Sequence, residues 1–455
     1  MLYESEAGDI TLALTGDSML SRRLAIFKEE RYLRLCRLLR DADVAFTNLE
    51  STVHAHGEGT PAISVGTYMT TEPELLEDLK WMGINLVSAA NNHAFDWTEE
   101  GVMLTVRYLD AAGLAHAGTG GNLREATRPA YLDTPKGRVA LIAANSMFDP
   151  PFRATHQRVD VCGKPGMNVV GFEKSYVVDR QTFEELRRAG AGLGFDAERQ
   201  RQRNFGFFSA SEVGGSTETA YAFLGSRFVL GDGFRVHTAV NEHDAAENLR
   251  QVREARRQAD WVIFSMHYHE MGGKALYTAT RRTELEEPPE FVVDFAHRCI
   301  DEGVDVFVGH GPHVALGLEI YKGKPVFYSL GDFILQNETV QVFPSHAYDR
   351  FRLDPMSTPA DFLDTRSDQN RKAHPGDPLF WEAFVPVCRF GGGALKEIQL
   401  YPVDAGHGRP RAQRGRPLLA DDEISHKILA RLARISEHHG TRIESVDGVG
   451  RVAGL

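Results

Sequence analysis

The chain has 455 residues, 42% apolar and 25% charged. That is enough for one large α/β domain with insertions or for two domains, with the balance of a soluble globular protein. Its 63 acidic residues outnumber 51 basic ones for a net charge of −12, which argues against nucleic acid or an anionic membrane surface as the main partner. The four cysteines, Cys36, Cys162, Cys299 and Cys388, are far apart and form no CxxC pair, so neither a disulfide framework nor a cysteine zinc site is expected, and reduced cytosolic thiols fit.

The opening "MLYESEAGDITLALTGDS" has no basic region followed by an apolar segment, so it does not read as a leader. No apolar run approaches the roughly 20 residues that span a bilayer. The chain therefore reads as soluble and cytoplasmic, without a membrane anchor. "DITLALTGD" is a strand, and "EERYLRLCRLLRDA" a helix with Leu33, Cys36, Leu38 and Leu39 marking one face. "DVAFTNLE" is a second strand. "TEPELLEDLKWMG" has a Thr cap, an early proline and a closing glycine, the start and stop of a helix. "INLVSAANNH" and "TEEGVMLTVRYLDAAG" continue the alternation, which implies a largely parallel sheet covered by helices.

From about Asn145 to Val240 the rhythm breaks, and this 145–240 stretch, rich in Gly, Ser and Arg but also in aromatics, reads as an insertion or cap near the site. It resumes with the helix "DAAENLRQVREARRQA", the strand "DWVIFSM", the helix "PPEFVVDFAHRCIDEG" and the strand "DVFVGH". "LGLEIYKGKPVFYSLGDF" reads as a β-hairpin turning at Lys322 to Lys324. A polar, Pro-rich stretch from about Phe343 to Pro378 precedes the two-stranded "AFVPVCRFGGGALKEIQLYPV" and a final amphipathic helix, "ISHKILARLARISEHHG". The expected division is one domain over 1–455. Its core lies at about 9–144 and 241–340, and a 341–455 extension returns strands and a helix to that core.

In open α/β sheets ligands bind beyond the carboxyl ends of the strands, and five strand ends here carry polar side chains. Asp17 follows the first strand, Asn48 and Glu50 the second, and Asn91, Asn92 and His93 the third; His267 and His269, then His310 and His313, follow two later ones. Taken singly, each is best explained as a turn or capping residue. Five such ends on one rim are better explained by a metal. Carboxylate, amide and imidazole without thiolate suit Mn, Zn, Fe or Co rather than Ca or Mg. Glu50 has two oxygens with which to bridge two ions, and His93 is the natural general acid because imidazole titrates near neutral pH. Gly311 and Pro312 make "FVGHGPHV" a tight turn, since proline would break a helix there.

Taken in order, "GDSML", "TNLES", "ANNHAFD", "SMHYH", "VGHGPHV" and "EIYKGKPVFYSLGDF" resemble the CapA-type (poly-γ-glutamate capsule biosynthesis) family, a branch of the calcineurin-like metallophosphoesterase superfamily. The resemblance implies an α/β (α+β sandwich) fold, with two central mixed β-sheets flanked by helices and a metal site at the carboxyl ends of the strands. It implies Asp17, Glu50, Asn92, His267, His310 and His313 as ligands of one or two divalent transition metals (Mn, Zn or Fe) and His93 as the acid. Arg22 is implied as a substrate contact, whereas His269 is an extra histidine that reads as a substrate contact, a further ligand or neither. The sequence departs from the pattern at Met19, where phosphoesterases carry a histidine, at His269 within His267-Tyr268-His269, and at Asp332, where asparagine is common.

Two functions follow as expectations. One is a metal-dependent hydrolase in which activated water attacks a γ-glutamyl-type amide or a phosphate ester of a small or polymeric anionic substrate, with the amide favoured. The other is a non-catalytic binding or accessory protein for poly-γ-glutamate synthesis or export. A closed structural metal site is least favoured, because such sites are usually four Cys or His ligands. The run Glu198 to Arg203, with Arg180, Arg187 and Arg188, is better explained as a solvated helix face than as a substrate contact.

Overall fold

The computed structural model describes residues 9–64, 66–206 and 216–455. The segment Met1–Gly8, read above for a leader, and residues 207–215 of the insertion lie outside the described residues. Two mixed sheets stack face to face. The first has ten strands, and its path runs Ile443–Val446, Val449–Val452, Ala394–Asp404, Glu382–Gly391, Ile10–Met19, Val44–Leu49, Leu86–Ser88, Ala115–Ala117. Strand Asp332–Leu335 lies parallel to Ile10–Met19, and Leu418–Leu419 pairs with Ala394–Asp404. The second has six, in the order Leu318–Tyr321, Lys324–Phe327, Val306–His310, Trp261–His267, Gly137–Asn145, Ala130–Thr134.

Strand periodicity explains the layering. Along Ile10–Met19, Leu12 and Leu14 point into the space between the sheets, where they meet Leu141, Ile263 and Val308, while Ala13 points outward to the helical layer. Both faces are therefore apolar, as in a strand buried on two sides. Helices Glu30–Arg40, Leu76–Met82 and Thr98–Ala112 cover the first sheet; Glu242–Arg256 and Glu290–Asp301 cover the second. The first of these buries Tyr32, Leu35, Cys36 and Leu39. That face is rotated from the expected stripe and leaves Leu33 and Leu38 half-buried. Helix Asp422–Glu437 buries Ile428, Leu429, Leu432 and Ile435 against the sandwich, and the hairpin 443–452, which the periodicity did not reveal, extends the first sheet behind it.

Within 145–240 the chain forms a separate four-stranded sheet, in the order Ala220–Phe223, Ser226–Leu230, Phe172–Val178, Arg235–Val240, with its own small core of Val178, Phe183 and Tyr221. It is joined to the main body by stacking of Phe172 on Phe291 at 4.4 Å. The first sheet is not the largely parallel sheet expected, because Glu382–Gly391 and Ala394–Asp404 enter it antiparallel beside Ile10–Met19. Among the described residues no helix is long and apolar enough to cross a membrane.

Candidate metal centre

Strand register brings the expected donors together. Asp17 is level with Asn48 and with Asp332 in the first sheet; His267 is level with His310 and Asn145 in the second. The facing sheets thus direct both rows into one gap. Asp17 Oδ1 lies 3.3 Å from His310 Nδ1 and 3.6 Å from His267 Nδ1, and the two imidazole nitrogens are 3.0 Å apart. Donors that share one ion at about 2.1 Å stand roughly 3.0–3.5 Å from one another, so these three atoms have the spacing of a common ligand set.

Glu50 forms the centre of a second group. Its Oε1 is 3.8 Å from His267 Nε2, 3.8 Å from His93 Nε2 and 3.9 Å from His313 Nε2. These separations exceed hydrogen bonds. Both Glu50 oxygens, Asn92 Oδ1 and Asp332 Oδ2 are buried without a hydrogen-bond partner. Leaving buried carboxylate oxygens unpaired is expensive, and a divalent cation among Asp17, Glu50 and Asp332 offsets that cost. The residues present therefore fit an O/N-ligated transition metal. Three overlapping groupings bring Glu50, His267 and His269, then His313, Asp332 and His374, then Asp17, Glu50, His313 and Asp332 within mutual ligand range.

The surroundings hold the imidazoles, though not every carboxylate, in the state a metal needs. Burial lowers His267 and His313 to about 3, the nearby Asp17 only partly opposing it. Burial, with His267 and His313 beside it, also pushes His269 well down. At neutral pH these imidazoles keep a free lone pair. Burial alone would raise Asp17, but its bonds to His267 and His310 hold it well below the usual carboxylate range. Glu50 is raised by burial and by the charges of Asp17, Asp332 and Asp96; Asp332 is raised by burial and Asp17. Around the donors, Asn48 Nδ2 donates to Asp17 Oδ1 at 2.7 Å, and the Gly311 amide to Asp17 Oδ2 at 2.8 Å. Ser265 bonds His310 Nε2 at 2.7 Å, which leaves Nδ1 to face the centre.

His93 is fixed between two carboxylates. Its Nδ1 lies 2.6 Å from Asp96 Oδ2, and its Nε2 faces Glu50. Above the centre lies a cavity of about 360 Å³ whose lining includes Asn92, His93, His269 and His313. Its outer wall comes from Arg350, Phe351, Arg366, Ala373 and His374, all within the polar, Pro-rich stretch. The insertion at 145–240, expected near the site, contributes Met147 alone among the described lining residues.

Asp17, Glu50, Asn92, His93, His267, His269, His310 and His313 are brought together. Arg22 is not, because its guanidinium donates to the carbonyls of Ala412, at 2.7 Å, and Arg414, at 3.1 Å, and it does not line the cavity. Arg199 and Arg201 are paired within their own helix, to Asp196 and Glu198, and are also absent from the lining. Sequence reasoning missed Asp96, three residues after His93 in "ANNHAFD", although that spacing signals a His–carboxylate pair. It also missed His374, Arg282, Arg350 and Arg366, which no strand-end pattern marks.

A two-sheet sandwich flanked by helices, with O and N donors converging from the strand ends, is a metallophosphoesterase-like fold. Residues 11–337 match the family described as "Bacterial capsule synthesis protein PGA_cap", and the chain belongs to that family. It is 34% identical over 452 residues to the uncharacterized protein y4sH of Sinorhizobium fredii, covering 97% of this chain and 92% of that one. It is 25% identical over 293 residues to a probable polyglutamine synthesis accessory protein of Mycobacterium tuberculosis, covering 64% and 55% of the two chains. Over 154 residues it is 28% identical to the PGA biosynthesis protein CapA of Bacillus subtilis, covering 33% and 35%.

Proposed function

We propose that this protein is a metal-dependent hydrolase acting in poly-γ-glutamate capsule metabolism, on a γ-glutamyl-type amide or a phosphate ester. One observation carries the reading: Glu50 is buried with both oxygens unpartnered, ringed by imidazoles that burial keeps neutral. Asp17, Glu50, Asn92, His267, His310 and His313 would hold one or two divalent ions of Mn, Zn or Fe, with His269 and His374 as further donors. Such an ion lowers the pKa of water and polarises the bond under attack. Asp96 fixes the His93 ring, so that Nε2 points at the reacting centre and delivers a proton to the leaving group. Asn48 and the Gly311 amide hold the Asp17 carboxylate in place.

The experiment is a side-by-side screen of p-nitrophenyl phosphates and γ-glutamyl amides with manganese- and zinc-loaded protein. Turnover of either that falls by about 10²-fold or more in His93→Ala, with metal content retained, supports the hydrolase. A protein that takes up no transition metal after reconstitution overturns it. The second reading, a non-catalytic accessory protein for synthesis or export of the polymer, is favoured by the description of the Mycobacterium tuberculosis relative as a probable polyglutamine synthesis accessory protein. It predicts polymer binding that His93→Ala leaves unchanged and no turnover to lose.

A further inference from the structure

The cavity above the metal centre has a charge character opposite to that of the chain. The sequence holds 63 acidic and 51 basic residues, yet the described lining contains three arginines, Arg282, Arg350 and Arg366, and no Asp or Glu. None of the three forms an ion pair with a carboxylate among the described residues. Arg282 is fixed by backbone, its Nε donating to the Pro312 carbonyl at 3.1 Å and a terminal nitrogen to the His269 carbonyl at 3.0 Å. Those carbonyls belong to the two turns that carry His313 and His269, so the guanidinium is tied to the metal centre itself. Arg366 donates to Thr67. Arg350 is exposed and makes no side-chain hydrogen bond among the described residues. Burial and the neighbouring Arg350 charge both lower the Arg366 pKa. The Arg350 charge acts on Arg366 more strongly than the opposing Glu338 carboxylate does, and Arg282 feels Glu270, Asp332 and Glu50 without pairing to any of them, so guanidinium groups without a paired carboxylate line a site that an arriving anion can fill.

From this we infer that Arg282, Arg350 and Arg366 form a binding subsite for a multiply charged oxyanion, a group bearing two or more carboxylate or phosphoryl oxygens, placed beside the reacting bond. A terminal unit of a γ-linked glutamyl chain has this chemistry, and so does a phosphate monoester. The inference takes from the hydrolase reading only the position of the reacting centre. Two of the three arginines come from 341–378, outside the matched residues 11–337, and Arg282 lies within them.

The test is calorimetric titration of the full chain with γ-linked triglutamate and, separately, with inorganic phosphate. At least one should bind, and which one binds tells carboxylate from phosphoryl. Arg350→Gln, whose side chain holds nothing else, and Arg366→Gln should each weaken that binding by about tenfold. Arg201→Gln, paired to Glu198 away from the cavity, should leave it unchanged. If neither anion binds, if both cavity variants bind as the wild type does, or if Arg201→Gln weakens binding equally, the subsite is refuted. Anion binding without turnover would refute the hydrolase and leave the subsite standing; turnover without any effect of the cavity variants would do the reverse.

Discussion

Glu50 is where proton and metal compete. Burial and three neighbouring carboxylates raise its pKa, and Asp332 is raised in the same way. In metal-free protein these carboxyls retain protons at pH values where a free carboxyl has lost them, and a cation binds only after they leave. His267 and His313, held at about 3, neither gain nor lose protons near neutrality. Metal affinity should therefore rise with pH, and each ion taken up should release protons. Calorimetry in buffers of different ionisation enthalpy measures that release, and Glu50→Gln should reduce it along with metal occupancy. Asp96→Asn should leave metal bound and alter the pH–rate profile, because the 2.6 Å bond that orients His93 would keep its length and lose its charge. Its effect should be smaller than that of His93→Ala.

The turn after strand Val306–His310 decides whether two imidazoles meet. Gly311 has φ of +107°, and a Cβ there would lie 2.4 Å from the Tyr268 carbonyl oxygen and 3.0 Å from His267 Cε1. His313, two residues on, takes φ of +62°, unusual for a residue with a side chain. Gly311→Ala should destabilise the protein by about 1–3 kcal/mol and displace the Asp17 carboxylate that its amide holds. A lowered thermal midpoint together with reduced metal content checks this. The equivalent turn after Trp261–His267 adds His269, whose Nε2 lies 3.2 Å from that of His267. His269→Ala should lower metal stoichiometry by atomic absorption if this nitrogen is a ligand, and leave it unchanged if the residue serves only the cavity.

At the scale of the whole molecule, the last third of the chain completes the first sheet. Strand Glu382–Gly391 pairs with Ile10–Met19 and buries Phe384, Val385 and Cys388. A chain truncated after residue 340 would expose one side of the strand that carries Asp17, together with the apolar faces of both sheets, and open sheet edges aggregate. Such a protein should be insoluble on expression, which a comparison of soluble yields and circular dichroism would show. The 145–240 sheet has its own small core and contributes one described residue to the cavity. Its effect on anion binding should accordingly be weaker than that of Arg350 or Arg366.

What the sequence determined by itself was local. The alternation of apolar runs and capped helices marked the strands that carry the donors, though not the hairpin 443–452 or the strands Ala130–Thr134 and Gly137–Asn145. Because a strand-end side chain must point beyond its sheet, the runs ending in Asp17, Glu50, Asn92, His267 and His310 marked the rim. Only the tertiary structure decided the rest. Whether two rims face each other depends on how the sheets stack, and that packing puts Asp17 within 3.6 Å of His267 across a gap of roughly 250 residues. Arg350, Arg366 and His374 lie in a segment with no periodicity to read. Their place over the cavity follows from long-range contacts, such as Arg366 with Thr67 and His374 with Asn337, which no spacing in the sequence encodes.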